Sequence, residues 1–176
     1  MIQSVRAMVQ TTSARLLFEQ AYAELRQLAR RERRRVNSSP TINTTALVHE
    51  TYFKLRPNIE AAEFSRPEFF GLAARAMRQV LTDYARRVDA DKRKHVTITL
   101  DDSRGGESAA PIAMIELDGA LRQLEALDAQ LARIVDLHVF SGLEFGEIAT
   151  FEGVSERSVY RLWRKARVFL LDQLAT

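Results

Sequence analysis

The chain of 176 residues carries 26 Lys and Arg against 23 Asp and Glu, and it has no cysteine. That length suits one or two small domains, and the cysteine count excludes a disulfide framework, a thiolate nucleophile and a cysteine-ligated zinc. No apolar run approaches a membrane span, no apolar signal core stands at the N-terminus, and His49, His95 and His138 lack metal-ligand spacing, so a cytoplasmic protein with no metal and no cofactor is expected.

In chain order, nearly every segment reads as helix. Ser13 to about Arg35 places Leu17, Ala21, Leu25 and Leu28 on one face. It ends in RRERRR (30–35), a phosphate-binding patch or simply a solvated helix end. Asn37, Ser38, Ser39 and Pro40 form a break. A second helix is expected from about Thr44 to Leu55, stopped by Arg56, Pro57 and Asn58. Ser65 or Arg66 before Pro67 opens a third, continuing through FFGLAARAMRQVLTDYARR (69–87), with Gly71 a local weak point. VTITL (96–100) alternates like a strand but is too isolated for a sheet. DDSRGGESAAP (101–111) has linker composition. Ile115 to Leu124 and Asp128 to Phe140 read as two more amphipathic helices. The expected fold is all-α, with an N-terminal domain over 1–95, a flexible linker over 96–111 and a C-terminal domain over 112–176.

The most specific pattern is LEFGEIATFEGVSERSVYRLWRKA (143–166). Ala149, Gly153 and Val159 follow the spacing of a helix-turn-helix: a small residue where the helices cross, a glycine for the positive φ of the turn, and an apolar residue pointing inward. Ser155 suits the N-cap of the second helix. That helix carries Arg157, Arg161, Arg164, Lys165 and Arg167 against the single acid Glu156, a charge suited to the major groove of DNA. A helical hairpin with a solvated basic face is the plainer alternative.

Charge is also segregated. Residues 113–152 hold eight acids and two basic residues, whereas 64–94 hold eight basic residues and four acids. Such partition suits a protein that meets DNA on some faces and protein on others.

ALVHETYFKL (46–55), FFGLAARAMRQVLTDYARR (69–87) and the terminal helix-turn-helix followed by RKARVFLLDQL make the chain resemble a bacterial sigma factor of the extracytoplasmic-function group in the sigma-70 family. The resemblance covers almost the whole chain and implies an alternative sigma factor, not an enzyme, that directs promoter-specific initiation. It implies that the first segment, through Leu47, Val48, Glu50, Thr51 and Lys54, faces the β′ clamp helices of core RNA polymerase. The second reads and opens the −10 element, and the last reads the −35 element from a domain seated on the β flap. Free, such a protein is expected to be largely monomeric and to bind promoter DNA weakly.

Physical chemistry fits those roles. Arg75, Arg78 and Arg86 recur at helical spacing and Arg87 extends the basic surface, as phosphate contacts require. Gln79, Asp83 and Tyr84 are candidates for capturing an unstacked base, although Tyr84 suits a core position equally and Asp83 could pair with Arg86 or Arg87. In the recognition helix, Glu156, Arg157 and Arg161 are expected to read bases, and Ser158, Arg164 and Lys165 to hold phosphates.

One departure from the family concerns charge. Relatives carry two or three acids just before the Leu-Val of the polymerase-facing helix, where this chain has Thr44, Thr45 and Ala46. A subset lacking these acids is thought to be switched on by a Ser/Thr kinase, since a phosphothreonine supplies the missing negative charge. Thr51 is the first candidate, with Thr44 and Thr45 as alternatives. Thr44 also suits an N-cap. Thr44 and Thr51 share the helix side of Val48 and Leu55 and are expected to be partly buried, and Thr45 is the more exposed alternative. An anti-sigma factor is the other regulatory partner such a chain implies. A conventional helix-turn-helix regulator acting without polymerase is the rival function. A metal-dependent nuclease built on Asp101, Asp102 and Glu107 is disfavoured, because those acids lie in a linker without rigid support.

Overall fold

The computed structural model describes residues 12–13, 44–59, 63–92, 96–100 and 111–175. The body of the helix expected over Ser13–Arg35, its arginine-rich end, the break at 37–40 and residues 101–110 of the linker lie outside them. Ser13 itself is not helical. With Thr12 it forms β1 (Thr12–Ser13), paired antiparallel with β2 (Glu63–Phe64).

Helix α1 (Thr44–Ile59) runs past the expected stop, with Pro57 inside it. A proline in the last turn withholds one N–H where little helix remains to depend on it, so the chain completes the turn. Helix α2 (Arg66–Lys92) begins at a capping box. The Glu68 carboxylate accepts from the Ser65 N–H at 2.8 Å and the Ser65 hydroxyl at 2.7 Å, and the Glu68 N–H reaches Ser65 Oγ at 3.4 Å. Those bonds hold the Glu68 carboxyl below its ordinary range.

The alternating run at 96–100 does find a partner, contrary to expectation. β3 (Thr97–Thr99) pairs antiparallel with β4 (Pro111–Ala113), in the register Thr97 with Ala113 and Ile98 with Ile112. Val96, Ile98 and Leu100 are all buried, so the period-two pattern marked an inner face. The partner was hidden because Pro111 ends a stretch of linker composition.

Helix α3 (Met114–Leu127) follows at once, then α4 (Ala129–Val135), N-capped by Asp128, whose side chain accepts from the Gln130 and Leu131 N–H groups. The chain continues through a π-helical segment (Asp136–Phe140) into α5 (Phe145–Glu152) and α6 (Glu156–Leu174). The fold is all-α, with two short ladders beside the helices among the described residues. Among the described residues, no helix is long and apolar enough to cross a membrane.

One buried apolar cluster runs through these elements, from Leu47 and Val48 of α1 and Phe69, Phe70 and Met77 of α2 to Leu121, Ile134 and Trp163. Helix α2 is its spine. It packs on α1 along one side and on α3 and the π-helical segment along the other.

Candidate DNA and polymerase surfaces

The C-terminal corner forms as its spacing requires. Gly153 caps α5 in the left-handed region at φ 67°, and the Val154 N–H reaches back to the Ala149 carbonyl at 3.1 Å. The other end of α5 is fixed by a reciprocal pair between Glu144 and Glu147. Ser155 caps α6, its Oγ accepting from the Ser158 N–H at 3.1 Å. Ala149 and Val159 are both buried.

Helix α6 has two chemically opposite faces. Val159, Trp163, Ala166 and Leu170 are buried at helical spacing, and Trp163 lies edge-on to His138 with ring centroids 4.7 Å apart. Glu156, Arg157, Arg161, Arg164 and Lys165 are exposed on the opposite side. Arg157, Ser158, Arg161, Arg164 and Lys165 line one open groove along the helix. Ser158 is half-buried and its hydroxyl lies 2.8 Å from that of Ser155, so it is the least available of the set.

A second groove, of 450 Å³, lies between α1 and α2 and brings together Glu50, Lys54, Asp83, Tyr84 and Arg87 beside the exposed ring of Phe53. Lys54 Nζ stands 2.6 Å from Asp83, which is also 3.6 Å from Arg86. Tyr84 is half-buried, packed on the core while lining this groove, and Gln79 is half-buried too. Leu47, Val48 and Thr51, expected toward polymerase, are buried in the α1–α2 contact, whereas Glu50 and Lys54 are exposed. The Thr51 hydroxyl is fully enclosed and donates to the Leu47 carbonyl at 2.7 Å. Thr45 is only half-buried.

The arginines of α2 are not alike. Arg87 and Arg86 are exposed, but Arg86 reaches Asp118 of α3 at 3.6 Å. Arg75 is exposed and meets Glu125 of α3 at 2.7 Å. Arg78 is 2% exposed. Its guanidinium sits 3.2 Å from Asp136, 3.7 Å from Glu125 and 3.9 Å from Asp118. Its Nε and the facing Asp136 oxygen are close enough for a strong charge contact but are not aligned as a hydrogen bond. Burial raises the Asp136 carboxyl to about 7 against the opposing pull of Arg78.

Sequence reasoning did not single out Asp118, Glu125 or Asp136. The available signal was the acidic balance of 113–152 beside the basic balance of 64–94, two neighbouring segments of opposite charge. Among the described residues, no group of three His, Cys, Asp or Glu is disposed to hold a metal ion.

A capped two-helix corner that presents a row of arginines on an otherwise buried helix defines a helix-turn-helix DNA-binding protein. The whole chain, residues 1–176, matches the family model of the ECF sigma factors, and the protein belongs to that family. It is therefore an alternative sigma factor, which binds core RNA polymerase and promoter DNA to direct transcription initiation. No curated protein and no solved structure matched the chain.

Proposed function

We propose that α6 reads the −35 element, that α2 reads and opens the −10 element, and that α1 and its groove with α2 meet the β′ clamp helices. The corresponding units are 1–95 and 112–176, joined through 96–111, with the second seated on the β flap. The observation that carries this reading is the exposed row of Glu156, Arg157, Arg161, Arg164 and Lys165 on a helix whose other face is buried. Glu156, Arg157 and Arg161 lie in the first two turns, nearest the base edges in this mode of docking, and Arg164 and Lys165 follow where the helix nears the backbone.

The test is transcription by the reconstituted holoenzyme on a set of −35 variants. Arg157→Ala or Arg161→Ala is expected to cost about 1–3 kcal/mol at particular base pairs, whereas Lys165→Ala weakens all sequences alike. An unchanged −35 preference in both arginine variants rules out the assignment.

Regulation by a Ser/Thr kinase is the finer part of the reading. Its support is the missing acids at Thr44, Thr45 and Ala46. Within α1, the half-buried Thr45 is a hydroxyl that a kinase can reach without unfolding the helix, and Thr51 requires local opening first. A phosphate at Thr45 adds nearly two negative charges to a helix with no acid in its first turn, and an arginine-rich partner rewards that charge. Binding of core polymerase by the phosphorylated and unphosphorylated chains, measured side by side, checks this. Equal affinity removes the kinase from the account and leaves an anti-sigma factor as the regulatory partner to seek.

A further inference from the structure

Helix α2 carries the arginines assigned to the −10 element, yet three of them are engaged by acids from the C-terminal half of the chain. Glu125 holds Arg75 at 2.7 Å, Asp118 holds Arg86 at 3.6 Å, and Asp136 lies 3.2 Å from the buried Arg78. Arg122 adds a cation at 2.9 Å from Asp118. At the end of the same seam, Arg133 donates to Glu152 at 2.7 Å and to the Pro67 carbonyl at 3.4 Å. Its guanidinium occupies the space a side chain at position 71 would fill, 3.4 Å from a Cβ built on Gly71. The rings of Phe70 and Phe151 stack beside it with centroids 5.3 Å apart.

We propose that this seam is an autoinhibitory latch. Asp118 and Glu125 stand in for promoter phosphates, Asp136 covers Arg78 beside them, and together they withhold α2 from DNA until the seam opens. The inference rests on the assignment of α2 to the −10 element.

The chemistry of the seam supports a joint that opens. The Arg78 pairs with Asp118 and Asp136 are buried between packed helices and carry a desolvation cost that apolar side chains of similar volume would avoid. Arg75 and Arg86 are half-exposed, so these pairs together are a poor way to make a permanent contact. They are a good way to make an exchangeable one, because any partner that supplies anions to the arginines, or cations to the acids, can replace each side separately. Arg78 shows the requirement most plainly. At 2% exposure it cannot touch a phosphate, so DNA contact there demands that α3 and the π-helical segment move away. A cleft of 360 Å³ lined by Gly71, Arg75, Glu125, Arg133 and Asp136 gives solvent a path along the seam.

The chain has no cysteine, so His49→Cys on α1 and Gln173→Cys on α6, both exposed, accept a fluorescent pair without competing sites. The compact full-length chain is expected to show high energy transfer, and Asp118→Asn with Glu125→Gln to lower it while helical content by circular dichroism is kept. Affinity for a single-stranded −10 oligonucleotide should then rise about tenfold, as expected if roughly a tenth of the free chain is open.

Because neutralised acids leave the buried Arg78 with fewer counter-charges, a second pair of variants guards against simple misfolding. Arg75→Glu should open the seam, and adding Glu125→Arg should close it again by restoring the pair with its signs exchanged. A folded Asp118→Asn, Glu125→Gln chain that keeps the wild-type distance overturns the latch, as does failure of the exchanged pair to restore it. Opening without any gain in DNA affinity overturns the withholding role. In that case Arg87→Ala, a change outside the latch, decides the other question. If promoter melting by its holoenzyme is impaired, the −10 assignment stands and only the latch is lost. If melting is normal, the −10 assignment falls as well.

Discussion

Gly153 holds φ at 67°, and no atom lies within 4 Å of the place a Cβ would take. Gly153→Ala is therefore free of clash and pays only for the left-handed backbone, about 1–2 kcal/mol. A lowered melting temperature with unaltered −35 base preference is the expected result. A changed preference would mean that the turn itself touches DNA. Thr51 makes the opposite case, since its environment is full. A carboxylate placed in that fully buried position is expected to cost about 3–5 kcal/mol, so Thr51→Asp should melt early rather than imitate a phosphothreonine. Thr51→Val keeps the shape, loses one local hydrogen bond to Leu47, and should lower stability by about 1 kcal/mol or less. A Thr51→Asp chain as stable as wild type would show that α1 opens readily. At this scale the helix-turn-helix residues were legible before any coordinates, because Ala149, Gly153, Ser155 and Val159 each answer to local geometry. Burial of Thr51 was legible too, since it shares the side of α1 that carries Val48 and Leu55, whereas burial of Arg78 was not, because it depends on which helix covers α2.

Among elements, those with a strong local signal appeared where periodicity placed them. Helices α2, α4, α5 and α6 begin near their capping residues, and α6 buries one stripe while exposing the other. Departures arise where the deciding contact is remote. β3 required β4, which stands across the linker, and α1 continued through Pro57 because one missing donor near a helix end is a small loss. The widening of the α4 helix into a π-helical segment at Asp136 has no composition signature. It leaves Asp136, Leu137, His138, Val139 and Phe140 all buried, which a regular amphipathic helix would not do. Helix α6 depends on this packing. Trp163 is fully buried and packs against both His138 and Phe145, so Trp163→Ala is expected to lower stability by about 3–5 kcal/mol, read by chemical denaturation. A loss below about 1 kcal/mol would mean that α6 is held mainly by its other buried residues.

For the whole molecule, the charge partition visible in the sequence has two uses, one toward DNA and one inward. The inward use makes the latch sensitive to pH through Asp136. Arg75 and Arg78 face it from α2, and Glu125 and Asp118 from α3. Arg133 of α4, paired with Glu152 of α5, lines the same cleft, and His138 follows on its own segment. Burial raises the Asp136 carboxyl from 3.8 to about 7 in the compact state. An opened seam exposes it to water and returns it toward the ordinary carboxylate range. Between those values the compact state keeps a proton that the open state releases. The contribution of this group to closure is therefore full below about pH 4, declines as pH rises, and is gone above about 7. Energy transfer between labels on α1 and α6 should accordingly be higher at pH 5.5 than at pH 7.5, and Asp136→Asn should flatten that difference. A wild-type chain whose transfer is constant across this range would show that Asp136 stays sealed from water in both states, and that opening leaves its side of the seam intact.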